Sequence, residues 1–309
     1  MAFTAQDVKK LREMTNVGMM DCKKALSASD GDMDKAVEWL REKGLAAAAK
    51  KSGRIAAEGA VKAIVKNGVG AIVEVNAETD FASNSDKFQE FINDVADAVA
   101  ENNPADLDAL LHSKYPGTDK TIEEILPEKI LVIGENIKIR RFARYDTGVT
   151  VPYIHMGGRI GVLVNMTVEG IEADKVTELG KDICMQIAAM NPEFCDKSDV
   201  SAEKLEKERE IQLHLALEEN SKAAKPKPEQ IIHKMVEGRI SKFYKENCLL
   251  QQEFVKDSNV SVEQHVAAVA KELGGSIKVN SFVRFEKGEG IEKKQDDFAA
   301  EVAAAAGLK

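Results

Sequence analysis

Two hydrophobic periods divide the chain. Up to about residue 52 the spacing is helical. Val8 and Leu11 form a stripe behind Thr4, a capping residue, and Asp7 stands three residues on to close a capping box. Asn16, Val17 and Gly18 break the pattern, and a second short helix is predicted from about Met20 to Ala28. Asp30-Gly31 reads as a turn and Asp32 as the next N-cap. Ala36, Val37 and Leu40 then give a third helix that Gly44 should stop. Such a unit is marginal alone but adequate for docking.

From Gly53 onward the apolar residues alternate. Val61, Ala63, Val65 and then Ala71, Val73, Val75 flank Asn67-Gly68, a hairpin signal because both central residues need φ > 0. A helix follows with Phe88, Phe91, Ile92, Val95 and Val99 on one face, limited by Pro104. More helix is predicted from Thr121 to Gly134, kinked or interrupted at Pro127, and then a strand from Ile137 to Tyr145. The plan then returns: strands Val149–Met156 and Arg159–Val168 around Gly157-Gly158, and a helix from about Lys175 to Ala189. Val69–Val73 matches Ile160–Val164 at an offset of 91, whereas Asn103-Pro104 and Asn191-Pro192 match at 88. The first copy therefore carries three extra residues between its second strand and its helix.

Residues 201–222 and Glu229–Asn247 read as two helices joined by a turn with Pro226 and Pro228, hence an antiparallel helical hairpin. A helix (Val262–Leu273) and a strand (Ser276–Phe285) return to the core, and an Ala-rich last helix is predicted from Asp296 to Ala306. The predicted class is α+β. It comprises a helical docking unit (1–52) and a duplicated β-hairpin/helix core (53–147, and 148–200 with 248–290). An inserted helical hairpin (201–247) and a C-terminal helix within 291–309 complete it.

Composition narrows the function. Lys and Arg number 43 and Asp and Glu 52, a net charge of −9 that disfavours a phosphate-backbone binder. No apolar run approaches the ~18–20 residues of a membrane span, and the polar start, Met1 to Lys10, lacks the apolar core of a secretory signal. The four cysteines (Cys22, Cys184, Cys195, Cys248) lie far apart without C-x-x-C spacing, which predicts free thiols and a cytoplasmic protein.

Catalytic constellations are missing from the sequence. There is no phosphate-binding G-x-x-x-x-G-K-[ST], no H-E-x-x-H and no G-x-S-x-G. Lys138, Arg140, Arg141 and Arg144 make a basic strand, read as a solvated sheet face rather than an anion site. The loop from Asn76 to Asp86, which holds the three extra residues, is polar except for Phe81 and alanines. Either Phe81 tucks onto the core while Thr79 or Ser85 caps the next helix, or it is an aromatic anchor on a binding loop. Met14, Met19 and Met20 cluster around Gly18, as part of a small core or as an adaptable docking surface.

These two segments carry a family resemblance. The run from Leu11 to Leu26, with Gly18-Met19-Met20-Asp21-Cys22-Lys23-Lys24-Ala25-Leu26, is similar to the N-terminal motif of bacterial translation elongation factor Ts. Glu74-Val75-Asn76-Ala77-Glu78-Thr79-Asp80-Phe81 resembles that family's second motif, and His155-Met156-Gly157-Gly158-Arg159, Val236-Glu237-Gly238-Arg239 and Phe254-Val255-Lys256-Asp257 match further on. The resemblance implies a guanine-nucleotide exchange factor for elongation factor Tu, without cofactor, metal or catalytic residues of its own. It further implies a ubiquitin-associated-like N-terminal unit docking through Leu11, Met19 and Met20. Thr79, Asp80, Phe81 and Ala82 would dislocate the partner's magnesium, and His155 would touch its third domain. The helical hairpin would serve as a coiled-coil or dimerisation module, in a homodimer or 2:2 complex. The family usually has Gly where Asn16 stands and Val where Ala82 stands, the latter change removing apolar bulk beside Phe81. Apart from the resemblance, a generic adapter or an enzyme without a recognisable motif stays open.

Overall fold

The computed structural model describes residues 3–15, 17–223 and 225–292. Its first helices are α1 (Ala5–Thr15), α2 (Met19–Ala28) and α3 (Met33–Lys51). The capping box closes: Thr4 N donates to Asp7 Oδ2 at 2.7 Å and Asp7 N to Thr4 Oγ1 at 3.4 Å. Asp32 caps α3 by accepting from Lys35 N at 3.1 Å. Gly44 does not stop α3. It is buried within the helix, and a Cβ there would lie 3.2 Å from the Pro127 carbonyl oxygen. The glycine lets two helices approach closely instead of terminating one.

Next come β1 (Glu58–Lys66), β2 (Val69–Ala77), α4 (Asp80–Ser83), α5 (Asp86–Asn102), α6 (Leu107–Leu111), α7 (Ile122–Ile133) and β3 (Lys138–Tyr145). Asn67 (φ 52°) and Gly68 (φ 80°) form the expected hairpin turn. The sheet order is β1-β2-β3, all antiparallel, and the apolar face of α5 covers one side of it. Pro127 does not interrupt α7, which runs through it as one helix. A Thr121–Glu124 capping box starts that helix, and Gly134 (φ 89°) ends it. Leu131 and Val132 of α7 pack into the core of α1–α3, and Arg41 of α3 pairs with Glu124 at 2.8 Å. The short α4 and α6 escaped the hydrophobic period because each spans little more than one turn.

The second half holds β4 (Val149–His155), β5 (Ile160–Glu169), α8 (Thr177–Met190), α9 (Ala202–Ser221), α10 (Glu229–Asn247), β6 (Glu253–Phe254), β7 (Asp257–Ser261), α11 (Val262–Leu273) and β8 (Ser276–Glu286). The second sheet runs β4-β5-β8, with α8 and α11 over its outer face. The hairpin α9/α10 has a small core of its own, built on Ala216, Ile232, Val236 and Ile240. All four cysteines are buried free thiols. The predicted C-terminal helix lies outside the described residues.

The duplication extends to a third strand in each copy. Bulges interrupt β2/β3 at Glu74/Val75 and β5/β8 at Asn165/Met166, again 91 residues apart, leaving Arg140 and Asn280 as the extra residues. The sheets stack through their inner faces, where Val61, Ile72, Leu163 and Phe285 share one cluster. Val61 pairs with Glu74 and Thr150 with Asn165, so Val61 and Thr150 hold equivalent places. Each faces a glycine of the other copy. A Cβ on Gly70 would lie 2.3 Å from Thr150 Cγ2, and one on Gly161 2.4 Å from Val61 Cγ1. Gly70→Ala and Gly161→Ala are each expected to cost about 1–3 kcal/mol by forcing the sheets apart. Urea midpoints measure this, and an unchanged midpoint for either variant would contradict the close stacking.

Candidate functional site: an exposed aromatic on a clamped loop

The loop leaving β2 carries both caps that the sequence offered as alternatives. Thr79 caps α4, taking Ala82 N at 3.2 Å, and Ser85 caps α5, taking Phe88 N at 3.4 Å. Gln89 Nε2 holds the Ser83 carbonyl at 2.7 Å. Neither cap tucks Phe81 away. Its side chain is 88% exposed, forgoing the ~1.5–3 kcal/mol that burial of an aromatic brings. The next residue points the other way: Ala82 is buried and packs in the core with α5. Ala82 therefore contributes to the core side of the turn and not to the surface beside Phe81. Asp80 is exposed with Phe81.

Two residues that the sequence reading passed over hold this loop. The Glu135 carboxylate accepts from Thr79 N at 2.9 Å and from Thr79 Oγ1 at 2.6 Å. Asn136, itself buried, donates its backbone N–H to Glu78 Oε1 and its amide to the Arg54 carbonyl, both at 2.7 Å. Arg54 pairs with Glu78 at 3.3 Å, and Lys51 Nζ donates to the Gly134 carbonyl. Burial and the neighbouring Arg54 hold the Lys51 ammonium below its usual pKa. The only sequence signal was a pair of polar residues between the Gly134 helix stop and a strand.

Below the loop lies a fully buried carboxylate. Glu74 accepts from Arg140 Nη1 at 3.0 Å, Arg141 Nε at 2.6 Å, Asn76 Nδ2 at 3.1 Å and Gly288 N at 2.8 Å. Arg141 also stacks over Phe285 and reaches Glu289. The basic strand is thus only in part a solvated face: Lys138 is exposed, whereas Arg140, Arg141 and Arg144 turn to partners within the fold. The β3 bulge aims two of its guanidinium groups at one internal acid, and Arg144 pairs with Asp146 and Asn103.

The other predicted positions are scattered. Met19 and Met20 are exposed, as is Met14, so they do not complete the small core. Leu11 is fully buried between the helices and offers no docking surface; it holds α1 in place. His155 is exposed at the end of β4, its ring hydrogen-bonded to Tyr153 Oη at 3.0 Å. The turn after it abuts β1 through Gly158, near where Glu58 pairs with Ala77 at the root of the Phe81 loop. Among the described residues no cluster of three or more His, Cys, Asp or Glu is placed to hold a metal.

Fold and site define a two-sheet α+β scaffold that displays an aromatic on a pinned polar turn. In sequence, a model for the family Elongation factor TS matches residues 78–289. Elongation factor Ts of Clostridium perfringens (strain SM101 / Type A) is 52% identical over 305 residues, 97% of this chain and 98% of its own. That of Trichlorobacter lovleyi is 49% identical over 317 residues, covering both chains fully, and that of Syntrophotalea carbinolica is 47% identical over 305. The chain belongs to the elongation factor Ts family. No helix among the described residues is long and apolar enough to cross a membrane.

Because removing the buried carboxylate leaves two half-buried guanidinium groups without their acid, Glu74→Ala is expected to cost about 3 kcal/mol, at the low end for a buried pair since both arginines keep some solvent. Chemical denaturation measures it; a loss under about 1 kcal/mol, the scale of an exposed pair, would contradict the internal role.

Proposed function

We propose that this chain promotes GDP release from elongation factor Tu by wedging Phe81 into the partner's nucleotide-binding domain. The observation that carries the reading is the 88% exposure of Phe81 on a turn held before it by Glu135 on Thr79 and after it by Gln89 on Ser83. A flexible loop would lose entropy on insertion; a pinned one has already been ordered on folding. Asp80 enters with Phe81 and disturbs the partner's magnesium and phosphate site. Thr79 and Ala82 act from behind, as cap and as core anchor. The exposed Met19 and Met20 dock the helical unit on the same partner domain, and His155 faces the partner's third domain. The magnesium and the nucleotide are the partner's, and the chain itself performs no covalent chemistry. The core or the α9/α10 hairpin joins two copies in a homodimer or 2:2 complex, and the site of action is the cytoplasm.

The thermodynamics needs no catalytic triad. A factor that binds the empty partner more tightly than the GDP-loaded one weakens GDP by the same ratio as GDP weakens it. Equal affinity for both states would shift nothing, however tight. The wedge must therefore be incompatible with an intact magnesium site.

Phe81→Ala should slow factor-stimulated release of labelled GDP at least about tenfold, the loss of one buried interface aromatic. Its melting temperature should stay put, because the ring makes little of the fold. Stopped-flow release decides this, and an unchanged rate sinks the wedge. Met20→Ala should weaken affinity for nucleotide-free elongation factor Tu while leaving the rate at saturating factor unaltered. Unchanged affinity would remove Met20 from the docking surface.

A further inference from the structure

The clamp on Thr79 has a second end. Glu135 directly follows Gly134, whose left-handed φ of 89° turns the chain out of α7 and brings the carboxylate to the Phe81 loop. Gly134 in turn accepts from Lys51 at the end of α3, and Asn136 ties Glu78 to Arg54 just beyond that helix. Earlier along both helices, Gly44 lies against Pro127 and Arg41 pairs with Glu124. One continuous path of packing and polar contacts thus joins the helical unit that carries Met19 and Met20 to the turn that carries Phe81.

Within this path Glu135 has a particular geometry. Both its oxygens are engaged by one residue, Thr79, through the backbone N–H at 2.9 Å and the hydroxyl at 2.6 Å. Two bonds to one residue fix an orientation where a single bond would leave a swivel. Thr79 is also the cap of α4, taking Ala82 N on its hydroxyl oxygen, so orienting Thr79 orients the four-residue turn on which Phe81 stands. Glu135 is only partly buried.

We infer that Glu135 is a positioning residue for nucleotide exchange, setting through Thr79 the pose in which Phe81 is presented and linking that pose to α3 and α7. The inference rests on the wedge reading of Phe81. It goes beyond that reading by assigning a function to a residue in a different segment of the chain.

The test is a double-mutant cycle on labelled GDP release, using the full chain and elongation factor Tu at a series of factor concentrations. Because it acts through the ring, Glu135→Ala should lower the saturating release rate about tenfold, no further than loss of the Phe81 ring itself, while the half-saturating concentration changes little. Glu135→Gln, which keeps one carbonyl acceptor, should recover part of the rate. In a Phe81→Ala background, Glu135→Ala should add almost nothing, since the clamp acts only through the ring. Thermal melts should coincide for all variants, separating mispositioning from unfolding. If Phe81→Ala slows release and Glu135→Ala does not, the wedge stands and the positioning role is overturned. If Glu135→Ala slows release equally with and without Phe81, Glu135 acts by another route and the inference fails. If Phe81→Ala leaves release unchanged, the wedge reading itself fails and the positioning role with it.

Discussion

The close stacking of two related three-stranded sheets is the constraint on which the rest of the structure depends. Each sheet has helices on its outer face and the other sheet on its inner face, so the central strands β2 and β5 are buried on both sides. Ile72 and Leu163 fill the space between, and Gly70 and Gly161 allow approach where Thr150 and Val61 cross. Because the sheets are locked face to face, the ends of their strands are rigid platforms. The Phe81 loop leaves one platform and the His155 turn leaves the other.

Duplication supplied the frame and divergence supplied the chemistry. Both copies bulge their third strand opposite a buried polar residue of the central strand. In the first copy that residue is Glu74, balanced by two guanidinium groups; in the second it is Asn165, bonded to Asn280 at 2.8 Å. A carboxylate between sheets is tolerated only when paired and fully hydrogen-bonded. Glu74 meets that condition, and through Gly288 it also fastens the segment beyond β8 against the first sheet. The three residues that break the repeat lie in the loop that presents Phe81, so the departure from symmetry coincides with the candidate site.

Much of this was legible in the chain. Val61 to Val75 around Asn67-Gly68 declared the hairpin, the Phe88–Val99 stripe declared α5, and the repeated Asn-Pro pairs marked helix ends that do close in left-handed caps at Asn103 and Asn191. The loop could be singled out because a polar run holding one aromatic conflicts with its surroundings. Gly44 misled, since a glycine that ends a helix and one that admits a neighbouring helix look alike until the neighbour is placed. The basic strand misled for a related reason: alternation says which side chains share a face, but the bulge at Arg140 breaks alternation, and the acid they serve lies more than sixty residues away.

The sequence by itself determined the local elements, the repeat, the family and the identity of the suspect aromatic, because these follow from periodicity, turn chemistry and motif. Only the tertiary structure decided that Phe81 points outward while Ala82 points inward, that Met19 and Met20 are surface and not part of the small core, and that Glu135 holds Thr79. Those outcomes depend on which groups meet across long separations, on burial competing with hydrogen bonding, and on the orientation of a turn pinned from another part of the chain. No local pattern encodes them.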